Sequence, residues 1–254
     1  LVSVDENDML VSFNGQGLSA KDMAEAAKAC NEFWQGIEFM HLSMYRNLLI
    51  LDKDRRILDN CVIPPPHESM GENINLLLRE IKQQSLLLRH FIEGTGKKLE
   101  RFNHGDIRYM LYPWGPSERK SLPDFQALHG LKGAAVCEAE IVRGIAKGLQ
   151  LTAPKIAGAT ADIDTDIAAK AAVTLNLLNE NDFVLTHFNG ADEAAHRYDY
   201  QGKAEFISAI DKEFLEKIIN NVREPLRIVI CGDHVTSSRS GKHNKNVGPV
   251  IAAQ

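Results

Sequence analysis

Three short apolar runs in the second half of the chain, at 133–136, 183–188 and 227–231, alternate with helix-length segments. This alternation constrains the fold more than any other feature. A strand that is apolar on both faces must be covered on both faces. Strand–helix alternation supplies that cover by laying helices over the two sides of a mostly parallel sheet. The spacing predicts helices over 139–149, 165–178 (capped by Asp164 or Thr165) and 203–222, with a short strand around Ile156. In such sheets, ligands bind beyond the carboxyl ends of the strands, so the residues that follow these runs are the first place to look for chemistry.

The first half reads as a smaller α/β unit. Strands are expected over 1–4 and 9–13 around the turn Asp5-Glu6-Asn7-Asp8. Ser19 is the expected N-cap of a helix over 20–33, with an apolar stripe at Met23, Ala26, Ala27, Cys30 and Phe33. Strand-like runs fill 37–51, and Pro64-Pro65-Pro66 must be extended. A long amphipathic helix is expected over 74–92, closed by Gly94-Thr95-Gly96, and a strand over 107–114 is expected to open the second half. The boundary between the units is expected near residue 106.

Composition removes several classes of function. The net charge of −5, with 34 acidic against 29 basic residues and no basic run, argues against a nucleic-acid partner. No apolar stretch is long enough to span a bilayer, and no signal-peptide pattern opens the chain. Cys30, Cys61, Cys137 and Cys231 are scattered without a CxxC pair, which favours reduced thiols in a cytoplasmic protein. The chain opens inside an apolar alternation at Leu1 and stops at Gln254 straight after a strand-like run, so it reads as a fragment.

Two polar clusters follow the apolar strands. After 183–188 comes Asn189-Gly190-Ala191-Asp192-Glu193-Ala194-Ala195-His196. Asp192 and His196 are four apart, so a helical turn beginning after Gly190 aims both at one point. After 227–231 comes Gly232-Asp233-His234-Val235-Thr236, and His243 follows nine residues beyond His234. Carboxylate oxygens and imidazole nitrogens that converge in this way suit Mn²⁺ or Zn²⁺. Spacing alone leaves a second reading open, in which each pair is a capping or solvated surface feature. His187, on the strand itself, reads as a core or supporting histidine rather than a ligand.

These clusters, in this order, resemble the archaeal type of cofactor-independent (2,3-bisphosphoglycerate-independent) phosphoglycerate mutase, within the alkaline phosphatase superfamily. Further stretches share the likeness: Pro65-Pro66-His67 with Gly71, Trp114-Gly115, Leu122-Pro123-Asp124-Phe125, Gly130-Leu131-Lys132-Gly133-Ala134-Ala135-Val136, Val142-Arg143-Gly144-Ile145-Ala146, Gly158-Ala159-Thr160 and Asp164-Thr165-Asp166. It runs almost end to end.

The resemblance implies an alkaline-phosphatase-like α/β core, incomplete here, over 107–254, with 1–106 as a cap that covers substrate. It implies two divalent metal ions, Mn²⁺ first and Zn²⁺, Co²⁺ or Mg²⁺ as alternatives, and no organic cofactor. Asp192, His196 and His243 would hold one ion, and Asp233 and His234 the other. An aspartate and the nucleophilic serine would lie upstream of this chain, which alone is expected to be inactive. The implied reaction interconverts 3- and 2-phosphoglycerate through a phosphoserine, a glycolytic isomerisation in which metals polarise phosphoryl oxygens and lower the pKa of the attacking hydroxyl. The alternatives are a phosphatase or phosphodiesterase of the same superfamily, or a non-catalytic metal-binding relative.

Holding an anionic substrate calls for cationic donors, and Arg143, Lys132 and Arg46 are the candidates, with His67 on a substrate-facing loop. Each can equally be a solvated or packing side chain. Three positions beside the ligands depart from the family pattern: Ala195 stands for a glycine, Ser237-Ser238 for a segment with proline, and Val247-Gly248-Pro249 for Pro-Val-Pro.

Overall fold

A computed structural model describes residues 1–51, 62–118, 120–244, 246 and 248–253. Cys61, Arg119, Val247 and Gln254 therefore lie outside the described residues. The chain divides into two compact units, Leu1–Glu118 and Arg119–Gln254.

In the first unit, β1 (Val2–Val4) pairs antiparallel with β2 (Leu10–Ser12). The Asp5 carboxylate closes the turn between them by accepting from the Asn7 and Met9 amides at 2.9 and 2.8 Å. Helix α1 (Ala20–Cys30) begins with a reciprocal cap between Ser19 and Asp22 and buries Met23, Ala26, Ala27 and Cys30. Strands β3 (Ile37–Ser43) and β4 (Arg46–Leu51) form a hairpin.

The expected helix over 74–92 is instead three pieces: α2 (Ile74–Leu77), α3 (Arg79–Gln84) and α4 (Leu86–Leu99). The break before α4 falls at Ser85, whose hydroxyl accepts from the Leu88 amide as an N-cap. Gly94 and Gly96 do not close the helix but lie inside α4. A Cβ on Gly94 would meet the Trp34 ring at 2.5 Å, so the glycine makes room for that indole. Strand β5 (Arg108–Met110) is shorter than expected and pairs antiparallel with β1. That pairing draws it into the first unit, so the division falls at Glu118 and not near 106. Val2, Val4, Leu10, Phe91, Ile92 and Leu99 are central to the core of this unit.

The second unit contains α5 (Phe125–His129), β6 (Gly133–Val136), α6 (Glu140–Gly148), α7 (Ile167–Leu178), β7 (Phe183–Thr186), α8 (Gly190–His196) and α9 (Tyr200–Ala209). The chain continues from α9 through a π-helical stretch, Ile210–Leu215, into α10 (Glu216–Asn221). Four strands follow: β8 (Ile228–Cys231), β9 (Val235–Ser237), β10 (Lys242–Asn244) and β11 (Val250–Ala253). Asp166 caps α7, where Asp164 or Thr165 was expected, and Ile156 lies outside any strand. Ala135, Cys137, Ala146 and Leu151 form a small core.

Strands β6 and β7 pair in parallel, as the alternation requires. The expected mostly parallel sheet is otherwise absent among the described residues, because β8 pairs antiparallel with β11 and β9 with β10. The apolar β8 and β11 stay open to solvent, with Val229 67% and Val250 66% exposed. Among the described residues, no helix is long and apolar enough to cross a membrane. Cys30 and Cys137 are buried free thiols and Cys231 an exposed one.

Candidate metal centre

Asp192 sits in the first turn of α8, directly after the turn that leaves β7. That helix starts at Gly190 because nothing larger fits there: a Cβ would meet Ile163 N at 2.7 Å and the Asp162 carbonyl carbon at 2.8 Å, both backbone atoms. The i, i+4 spacing then brings His196 Nε2 to 3.4 Å from Asp192 Oδ2. The other ring nitrogen of His196 donates to the Gly241 carbonyl at 2.7 Å, which fixes the ring. Gly241 is needed for that approach: its φ is +63°, and a Cβ would meet Tyr198 at 3.0 Å and the His196 carbonyl oxygen at 3.2 Å.

The second cluster arrives from β8. His234 Nε2 lies 3.1 Å from Asp192 Oδ1, and its Nδ1 lies 3.1 Å from Asp233 Oδ2. His243 returns through the β9–β10 hairpin, whose register sets it opposite Thr236. Its Nε2 is 3.9 Å from Asp192 Oδ1, and its ring centroid is 4.1 Å from that of His234. Asp192, His234 and His243 thus offer ligand atoms that all lie within 4.8 Å of one another. The division expected from the resemblance grouped Asp192 with His196 and His243, apart from Asp233 and His234. The structure sets His196, His234 and His243 around the Asp192 carboxylate, while Asp233 contacts His234.

The electrostatics agree with that geometry. Burial opposes ionisation of Asp192, but hydrogen bonds from His196, Thr236 and His234 outweigh it and hold the carboxyl well below the usual carboxylate range. The hydrogen bond to Asp192 raises the pKa of His196 against the opposing effect of its partial burial. Burial, with Lys170 nearby, pushes His187 down, although Asp233 and Asp192 act the other way. A carboxylate kept ionised among imidazoles is a cation-binding environment. Asp233, with its side chain 82% exposed, also accepts from the His234 amide at 3.0 Å. Carboxylates and imidazoles together are a donor set for a divalent cation, and the His196–Gly241 contact is the kind of outer support that ligating histidines need.

Thr236 is the residue whose part in this cluster the sequence did not disclose. It is buried, and its hydroxyl donates a short hydrogen bond to Asp192 Oδ1. Lys203 Nζ in turn donates to the Thr236 carbonyl at 2.8 Å. The departures at Ala195 and Ser237 are accommodated: Ala195 is fully buried in α8, and the Ser237 carbonyl accepts from the Gly241 amide at 2.8 Å to close the hairpin turn.

The proposed substrate contacts fare differently. Arg143 Nη2 donates to the Cys137 carbonyl at 2.8 Å and pairs with Glu138 at 2.6 Å, so it is engaged at the carboxyl end of β6. Lys132 precedes β6, where its amide bonds Asp182 at 2.9 Å. That is the opposite end of the β6–β7 pair from Asp192, and the structure does not bring Lys132 to the cluster. Arg46 and His67 belong to the first unit. There Arg46 lies over the Tyr45 ring at 4.6 Å, and His67 packs edge-on to Trp114 at 5.7 Å and to Phe13 at 6.1 Å.

Carboxylates and imidazoles gathered at the strand ends of an α/β unit are metal-ligating side chains, and residues 8–254 match the Metalloenzyme superfamily, to which this chain belongs. Among its relatives is a 2,3-bisphosphoglycerate-independent phosphoglycerate mutase of Methanothrix thermoacetophila, 26% identical over 246 residues, covering 93% of this chain and 62% of the relative. Another of that name, from Methanococcus aeolicus, is 33% identical over 181 residues, covering 68% of this chain and 44% of the relative. A solved structure of a Pyrococcus horikoshii protein matches with a TM-score of 0.50 and 29% identity, over 57% of this chain and 42% of that one. The chain spans less than two thirds of the length of these relatives.

Proposed function

We propose that this chain supplies the metal-binding part of an enzyme that interconverts 3- and 2-phosphoglycerate by phosphoryl transfer through a phosphoserine. The observation that carries the reading is the single Asp192 carboxylate, held between His234 at 3.1 Å and His196 at 3.4 Å with His243 at 3.9 Å. The names of the relatives support the substrate. Asp192, His196, Asp233, His234 and His243 would hold two divalent ions, Mn²⁺ first. Bound there, the ions would supply Lewis-acid stabilisation of a phosphoryl group. The chain's own residues keep Asp192 ionised, aim the imidazole nitrogens and exclude part of the surrounding water. The first unit is assigned the role of substrate cover, which would protect a phosphoenzyme from hydrolysis.

The test is to incubate the complete protein with Mn²⁺ and 3-phosphoglycerate and to measure 2-phosphoglycerate and inorganic phosphate together. Appearance of 2-phosphoglycerate is the expected result. Inorganic phosphate alone would make the protein a phosphatase, and neither product would leave a metal-binding relative without this activity.

A further inference from the structure

We propose that Lys170 is a positioning residue for the metal centre, one that sets the turn carrying Asp192 and His196 through the backbone of His187 without touching an ion; this rests on the metal-binding reading above. Lys170 and Thr174 are four apart on α7 and so share one helical face. That face grips the end of β7 residue by residue. Thr174 Oγ1 lies 2.9 Å from Thr186 Oγ1, Lys170 Nζ donates to the His187 carbonyl at 2.9 Å, and the same ammonium stands 4.7 Å over the Phe188 ring.

An ammonium in this place needs a reason. Lys170 is 1% exposed, and burial pushes its pKa down, with Glu138 and Cys137 acting in the opposite direction. A buried charge is expensive, and an apolar side chain of similar volume would fill the space at lower cost. Two properties of lysine are used here that methionine or leucine lacks. It donates to a carbonyl at the point where the β6–β7 ladder ends, and it places a cation on an aromatic face. His187 is held on its other side by its amide, which donates to the Val136 carbonyl at 2.9 Å.

The turn into α8 therefore has two fixed points. Lys170 holds it at His187, and the backbone of Asp162 and Ile163 packs against Gly190. Only Phe188 and Asn189 lie between them, and Asp192 follows two residues after the second. Shifting the first point moves the carboxylate on which His196, His234 and His243 converge.

The experiment titrates the complete, metal-free protein with Co²⁺, reading affinity and the visible ligand-field bands, for the unaltered protein, Lys170→Met and Lys170→Arg. The expected result is that Lys170→Met keeps its circular dichroism and cooperative unfolding but binds Co²⁺ about 10- to 100-fold more weakly, the range typical of outer-sphere supports. Lys170→Arg, which retains a cationic donor, should recover most of that loss. Folded Lys170→Met with unaltered affinity and bands would overturn the proposal. Should Lys170→Met fail to fold, Lys170→Gln takes its place with the same two outcomes. Failure of both to fold would also overturn it, since the residue would then serve the fold as a whole. Absence of Co²⁺ binding by the unaltered protein would instead sink the metal-binding reading itself.

Discussion

His234 Nε2 stands 3.1 Å from Asp192 Oδ1 although 42 residues separate the two in sequence. One belongs to the turn after β7 and the other to the turn after β8, and no strand ladder joins those two strands among the described residues. The contact is therefore made by side chains alone, at the place where two strand ends converge. Asp192 accepts from His234, His196 and Thr236 and is the hub of the cluster.

Replacing Asp192 by Asn should remove the charge on which the imidazoles converge while keeping the volume. Divalent-metal affinity, measured by calorimetry, should fall by more than about 100-fold, beyond the effect of losing an outer support. An affinity within tenfold of the unaltered protein would deny Asp192 a ligand role.

Thr236→Val preserves shape and deletes the hydroxyl that donates to Asp192. Metal affinity should drop about 10-fold, in the range seen for outer-sphere partners. Because Thr236 is buried beside an ionised carboxylate, the metal-free protein should also lose about 1–3 kcal/mol of stability, read from chemical denaturation.

The pH dependence has a definite sign. His196 gains a partner on folding, so its folded pKa lies above the ordinary histidine value near 6.5. In the metal-free protein, its contribution to stability is present below that value and is lost as pH rises through the higher folded pKa. Metal binding must displace the same proton, so affinity should increase over this interval. Calorimetry in buffers of differing ionisation enthalpy should detect proton release, and Asp192→Asn should diminish it.

Gly190→Ala should destabilise the second unit by about 1–3 kcal/mol, the usual cost of forcing a methyl group into a packed position. Besides the Phe206 ring, the obstructing atoms belong to the backbone of Asp162 and Ile163, which cannot swing aside as a side chain would. An unchanged urea midpoint would show that the turn into α8 relaxes without cost.

Much of the local structure was legible in the residues. The Ser19 cap, the turn at Asp5, the strands within 37–51 and the helical turn that pairs Asp192 with His196 all follow from chemistry within a few positions along the chain. The helix expected over 74–92 failed for an equally local reason, since Ser85 competes for a backbone amide, and Gly94 was misread as a terminator because its partner, Trp34, lies 60 residues away. The apolar runs foretold the parallel pairing of β6 with β7 but not the antiparallel pairing of β8 with β11. An apolar run specifies burial and does not name its neighbour.

Sequence by itself determined the donor types, their placement after apolar strands and the i, i+4 aim of Asp192 and His196, because periodicity and residue chemistry are properties of the chain. Tertiary structure alone decided that Asp192 is shared between the two clusters, that Thr236 and Gly241 hold it and His196 in place, and that Lys170 is buried at the strand end. Those relationships depend on hydrogen bonds between segments 17 to 45 residues apart, whose directions no local pattern encodes.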